Sequence, residues 1–343
     1  MNPLKKFLLT FLQYAFFLGL GIILLYYAFR SIDINILTDR LKHANYGLLS
    51  ISLLFGLAGM FARSYRWDVM IEPLGYKPGI VNTYHALIIG YTANYAFPRI
   101  GEITRCGVLN KTDQIPADSL IGTVITERIW DLVVLLLLTV LVVLLKIQIF
   151  GNFFIDRIFQ PLILKFGWLF NLSIITWSVL ILTIFLGFLL IYTFREKVKK
   201  VVLVKKISKA GVGIFKGIKS IIRMPRKLEF FASTIVIWGL YLFMSYFALK
   251  SMDPTKQLNL IDALFILVIG SYGFAAPVQA GIGAYHAIIA LGLSIYAISW
   301  SDGLAYALLS HGSQAISIIL LGLISMLILF FRKKNKQKSE SIY

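Results

Sequence analysis

Three short stretches gather the groups that could do chemistry. "ARSYRW" supplies Arg63 and Arg66, "NYAFPRIGEITRCGVL" supplies Asn94, Arg99, Glu102 and Arg105, and "ITERIWD" supplies Glu127, Arg128 and Asp131. Residues three or four apart share a helical face. Arg63 therefore sits beside Arg66, and Glu127 beside Asp131. Arg99, Glu102 and Arg105 can share a face if the segment after Gly101 is helical, while Arg128 lies about 100° round the helix from Glu127. Glu127 and Asp131 fall inside an apolar run, where unpaired charge costs several kcal/mol, so each is expected to meet an arginine from the first two stretches. Five arginines against three acids leave cations over. Two outcomes are open. The surplus could line a cavity for a phosphate or carboxylate headgroup, which the planar guanidinium fork grips at two points. Alternatively, the charges form a salt-bridge network that fixes the structure and takes no ligand. Arg66 and Trp67 also fit an interfacial anchor.

Other chemistries are poorly served. His43 and His85 are isolated, and no histidine has ligand spacing to Cys106 or to a carboxylate. His311 and Gln314 are three apart in a long apolar run, as interhelical hydrogen-bonding residues often are. The sequence contains no nucleophile elbow, Walker loop or dinucleotide fingerprint. "GVGIFKG" at 211–217 lacks the strand and lysine context of a phosphate loop and reads as part of a basic amphipathic loop. Neither a metal nor a cofactor is expected. Cys106, as the one cysteine, excludes an internal disulfide.

The elements that must position these charges are membrane helices. Over 343 residues, 58% are hydrophobic and 14% aromatic, with a mean hydropathy of +0.80, far from a soluble domain. Clear apolar runs fall at 7–29, 47–62, 119–145, 168–194, 229–249 and 303–331; Gly- and Pro-broken runs fall at 80–98, 258–277 and 281–299. The first run is too long for a signal-peptide core and reads as a retained helix.

Charge distribution sets the topology. Residues 195–227, the tail 332–343 and Lys5 with Lys6 hold 17 of the 18 net positive charges, and each abuts an apolar run. That pattern is the positive-inside bias, with attraction to anionic headgroups as a secondary effect. It is not a nucleic-acid platform, since no interleaved aromatics or binding motif accompany it. Keeping the basic loop and both termini cytoplasmic requires 80–98 to turn back, with Pro98 and Gly101 at the turn. In the second half, "AAPVQAGIGAYH" repeats the interruption at Pro277, Gly281 and Gly283. Either 258–299 forms a second re-entrant hairpin, which we favour, or its two runs both span; parity permits both. The expected fold is an all-α polytopic protein of the cytoplasmic membrane. It has about 6–9 transmembrane segments and two re-entrant hairpins in an inverted repeat, an arrangement that places transporter sites near the midplane. Its transmembrane domain covers 1–331, with halves of about 1–194 and 229–331 joined by the basic loop 195–228.

The stretches "RSYRW", "NYAFPRIGEITRCGVL", "ITERIWD" and "PVQAGIGAYH" together resemble the lysylphosphatidylglycerol synthase transmembrane-region family, also described as flippase-like or UPF0104 proteins. The likeness runs from about residue 10 to 331. The chain departs from the family's pattern at Ala96, Phe97 and Ile100 round the first turn, at Gln279 and Ala280, and at His286, where many relatives are expected to carry an acid. In two-domain members this region is thought to move aminoacylated phospholipid between leaflets after a soluble C-terminal domain makes it. The basic tail after Phe331 leaves that synthase domain expected to be absent. The resemblance implies a lipid flippase, with membrane lipids, chiefly anionic ones, as partners; a homo-oligomer is compatible. Without an ATPase motif, transport would be downhill or ion-coupled. A polyprenyl-phosphate-dependent glycosyltransferase using Asp33 or Asp39 as base and a non-transporting scaffold are the alternatives.

Overall fold

The structure, a computed structural model, describes residues 34–147 and 224–340, with isolated positions at 19, 23 and 26. The expected spans 7–29 and 168–194, Asp33, the 211–217 stretch and most of the basic loop lie outside the described residues. The chain divides into one unit of Met1–Val142 with Arg223–Tyr343 and another of Val143–Ile222. Of the second unit, the described residues include only 143–147.

Among the described residues the architecture is helices joined by turns. In order they are α1 (Ile34–Lys42), α2 (Tyr46–Ile71), α3 (Ile80–Ala96), α4 (Gly101–Asp113), α5 (Ala117–Leu145), α6 (Lys227–Lys250), α7 (Leu260–Ala275), α8 (Ala284–Ser294) and α9 (Trp300–Glu340). Among the described residues, four segments are long and apolar enough to cross a membrane: Tyr46–Leu74, Ala117–Leu145, Lys227–Lys250 and Trp300–Arg332. They contain the expected runs 47–62, 119–145, 229–249 and 303–331. Large apolar side chains stay exposed on α5, such as Leu137 and Leu144, and on α9, such as Leu327 and Phe330. Such a surface suits lipid contact rather than water.

Local chemistry sets the helix boundaries. Asn45 caps α2, its side chain accepting from the Leu48 N–H at 3.0 Å, and so fills one of the donors a helix start leaves open. Asn259 and Asp262 form a reciprocal capping box at the start of α7. The Asn45 N–H also donates to the Ser251 carbonyl at 2.7 Å, tying the beginning of α2 to the end of α6, and these two helices pack along their length.

Both broken segments are helix–turn–helix pairs, and they end their first helices in the same way. Phe97 before Pro98 is extended (φ −141, ψ 132), and Ala276 before Pro277 has left the helix (φ −58, ψ 146), because proline's ring clashes with a helical residue in front of it. Each turn then uses a non-glycine residue at positive φ, Arg99 at 60° and Ala280 at 45°, a rarely occupied region. Gly281 and Gly283 follow at φ 79° and 82°, where glycine carries no such strain. α3 packs on α4 and α7 on α8. In the first pair the backbones nearly touch. A Cβ built on Gly90 would sit 2.7 Å from the Gly101 carbonyl oxygen. A Cβ on Gly101 would sit 2.7 Å from Asn94 Nδ2, so neither position has room for a side chain.

A buried apolar cluster of Trp67, Ile71, Ala86, Cys106, Leu109, Ile115, Leu120 and Val124 joins α2, α3, α4 and α5. It underlies the charged residues.

Candidate functional site: a buried arginine–carboxylate cluster

Glu127 is the hub. It is fully buried, and three arginines converge on its two oxygens. Arg63 donates from Nε and Nη2 to Oε1 at 3.0 and 2.7 Å. Arg66 Nη2 reaches the same oxygen at 3.3 Å, and Arg105 Nη2 donates to Oε2 at 2.7 Å. Asp131, one turn further along α5, binds Arg66 Nη2 at 2.6 Å and also takes a bond from Arg63 Nη2. The i, i+3 spacing of Arg63 and Arg66 and the i, i+4 spacing of Glu127 and Asp131 make this possible. Two faces of opposite charge meet across the α2–α5 contact.

Neutral groups orient the arginines. Arg66 Nη1 donates to Thr234 Oγ1 at 3.2 Å, and its guanidinium lies 5.5 Å from the Phe230 ring centre. Arg105 stacks over Trp67 at 4.5 Å, a favourable cation–π arrangement. Trp67 is held by its Nε1–H donating to Thr123 Oγ1 at 2.9 Å. Arg66 and Trp67 have no exposed surface, so the interfacial-anchor reading is overturned; both belong to the interior. Sequence inspection missed Thr123 and Thr234, since a threonine in an apolar helix carries no visible mark of its partner.

Not every expected member joins. α4 begins at Gly101, so Glu102 and Arg105 lie on the helix, but Arg99 is in the turn before it and leaves their face. Arg99 Nη2 donates instead to the Ala275 carbonyl at 2.8 Å, at the end of α7. Asn94 serves the turn, its Oδ1 accepting from the Gly101 N–H at 2.7 Å. Pro98 occupies the turn itself. Arg128 is about one-third exposed and approaches Glu102 at 3.6 Å, Asp131 at 3.6 Å and Glu127 at 4.0 Å. These are Coulombic contacts too long for hydrogen bonds.

Without Arg99, four arginines (63, 66, 105, 128) face three acids (102, 127, 131). One positive charge remains. The donors are not all used, because Arg105 Nε and Nη1, Arg66 Nε and Arg128 Nε are buried without hydrogen-bond partners, as is Glu102 Oε2. Beside Arg105 and Arg128 is a narrow cleft lined also by Leu87, Gly90, Tyr91, Asn94, Gly101 and Glu102. The close Gly90–Gly101 approach brings both helices of the hairpin to its wall.

Other charges are peripheral. Asp39 is exposed and engages His43 at 3.0 Å, and α1 is tied to α9 by Arg40 Nε donating to Asp302 Oδ1 at 2.7 Å. Arg226, just before α6, is bound to Glu229 and Glu72; these two carboxylates raise its pKa above the ordinary value. His286 and His311, 25 residues apart, are brought together with ring centres 5.1 Å apart. His286 Nδ1 accepts from the Gly283 N–H at 3.3 Å, which fastens the second turn to α8.

Comparison with known proteins identifies the family. A "UPF0104 membrane protein" of Methanocaldococcus jannaschii is 24% identical, the alignment covering 81% of this chain and 83% of that protein. No solved structure matches. Residues 11–322 match the lysylphosphatidylglycerol synthase TM region, a span that includes both broken hairpins and the whole arginine–carboxylate cluster, and the chain belongs to that family.

Proposed function

We propose that the chain carries an anionic, phosphate-bearing lipid headgroup across the cytoplasmic membrane while the acyl tails stay in lipid. One observation carries this reading: Arg105 presents two buried, unpartnered N–H groups beside a cleft it shares with Arg128, within a cluster that holds one more cation than anion. A buried donor left unmade costs about 1–3 kcal/mol, and more if charged. A phosphate entering the cleft would satisfy the donors and neutralise the surplus together.

The hairpins are re-entrant in this proposal. At 1.5 Å per residue, the 13-residue α4 and 11-residue α8 extend only about 20 and 16 Å, short of the ~30 Å hydrocarbon core. Broken backbone at that depth is tolerated where protein or water covers it. The matching Phe97-Pro98 and Ala276-Pro277 terminations, each followed by a positive-φ residue, support an inverted repeat with the two hairpins entering from opposite faces, and the basic blocks of the sequence support cytoplasmic termini.

The test is reconstitution in liposomes containing a headgroup-labelled anionic phospholipid, with no nucleotide present. Wild-type protein should speed equilibration between leaflets, while Arg128→Gln and Arg105→Gln should slow it by at least about tenfold. Equilibration at the empty-liposome rate with folded wild-type protein would refute transport. Retained activity in both variants would remove the headgroup from this cleft.

A further inference from the structure

A second cleft, of different chemistry, opens among α6, α7, α8 and α9. It is small and partly open to the outside. Ser245, Ser271, Tyr285, Tyr306, Ser310 and Gln314 supply its polar lining, and no charged residue lines it. Six hydroxyl or amide side chains gather round this one cleft.

Helix packing does not account for them. Small and polar residues in membrane bundles ordinarily hydrogen-bond across to a neighbouring helix. Here Ser271 donates to Leu267 of its own helix at 2.7 Å. Ser310 contacts Tyr285 Oη and the Ala307 carbonyl at 3.4 Å, at the limit of a hydrogen bond, and otherwise engages Tyr306 of its own helix. Ser245 and Gln314 make no hydrogen bond with any described residue. His311, packed against the lining rings Phe274 and Tyr285 at 5.3 and 5.1 Å, keeps a buried Nε2 without a partner. Polar groups facing a cavity in this state are stabilised by what fills it.

We infer that this cleft is a binding site for a small neutral polyol group, no larger than glycerol, separate from the arginine cluster. Uncharged donors and acceptors match hydroxyls. The aromatic faces of Phe274 and Tyr285 suit the C–H surface of a polyol, and the absence of a cation gives phosphate or carboxylate no counter-charge. The same chemistry could come from a lipid headgroup or from a free polyol.

Purified protein in lauryl dimethylamine oxide, a detergent without hydroxyls, is titrated with octyl glycerol ether, with octyl trimethylammonium and with glycerol, and thermal melting is followed. Octyl glycerol ether should raise the melting temperature saturably and octyl trimethylammonium should not. Gln314→Leu and Ser245→Ala, which break no hydrogen bond, should each weaken that response by about tenfold. A saturable response to glycerol alone would assign the free polyol as the source; a response needing the octyl chain assigns a lipid headgroup. Equal responses to the two octyl amphiphiles, or wild-type affinity in both variants, overturns the site.

Discussion

Arg99, in the turn of the first hairpin, donates from Nη2 to the main-chain carbonyl of Ala275 at 2.8 Å, at the last residue of the first helix of the second hairpin. The two turns are thereby latched together across 176 residues of sequence. The bond satisfies one of the carbonyls that a helix end leaves open. Arg99 holds its backbone at φ 60°, with its side chain reaching α7 rather than the face of α4.

Arg99→Ala should destabilise the protein by about 1 kcal/mol through loss of the bond. Arg99→Gly should be no worse, because glycine relieves the left-handed backbone as it loses the same contact. Thermal melting of the two variants decides the point, and an alanine variant more stable than the glycine one would show that the backbone strain is not real.

Glu127→Gln should be among the most damaging single changes. It leaves Arg63, Arg66 and Arg105 round a neutral group, and breaking a buried pair from one side costs about 3–5 kcal/mol. Adding Arg105→Met to the variant should recover at least about 1 kcal/mol, because one stranded cation is removed. A double-mutant cycle on melting free energies tests this; strict additivity would mean the two residues do not interact.

The arginines should divide by burial. Arg66→Gln is expected to cost several kcal/mol, since it strips Asp131 of its 2.6 Å partner in the interior. Arg128→Gln, one-third exposed and without a short hydrogen bond, should change stability by less than about 0.5 kcal/mol. Equal destabilisation of the two variants would place Arg128 in the structural network instead.

Gly90→Ala should separate the α3–α4 hairpin, since the new methyl meets the Gly101 carbonyl at 2.7 Å and Arg105 Cβ at 3.1 Å. Overpacking of this kind costs about 1–3 kcal/mol. Gly107→Ala, with nothing within 4 Å of the added atom, should be neutral or stabilising by up to about 1 kcal/mol through helix propensity. Melting temperatures that fall equally would argue against the backbone approach.

The amino-acid sequence by itself determined the membrane class, four of the spans and the two broken segments. Apolar run length and Pro-Gly interruption are local properties that no distant partner alters. It also marked the charged residues of the cluster, because carboxylates inside an apolar helix are too costly to leave alone, and the shared faces of Arg63 with Arg66 and of Glu127 with Asp131 followed from helical periodicity. Tertiary structure decided the rest. Only packing of α2 against α5 could place both arginines on both acids, and only the start of α4 at Gly101 could release Arg99 from Glu102 and send it to Ala275. Thr123, Thr234 and the His286–His311 contact were illegible because a hydroxyl or imidazole in an apolar helix takes its meaning from whichever helix lies opposite. The uncharged cleft is the extreme case. Its polar residues come from four helices, and none is remarkable in its own segment; they become a site only when the bundle brings them together.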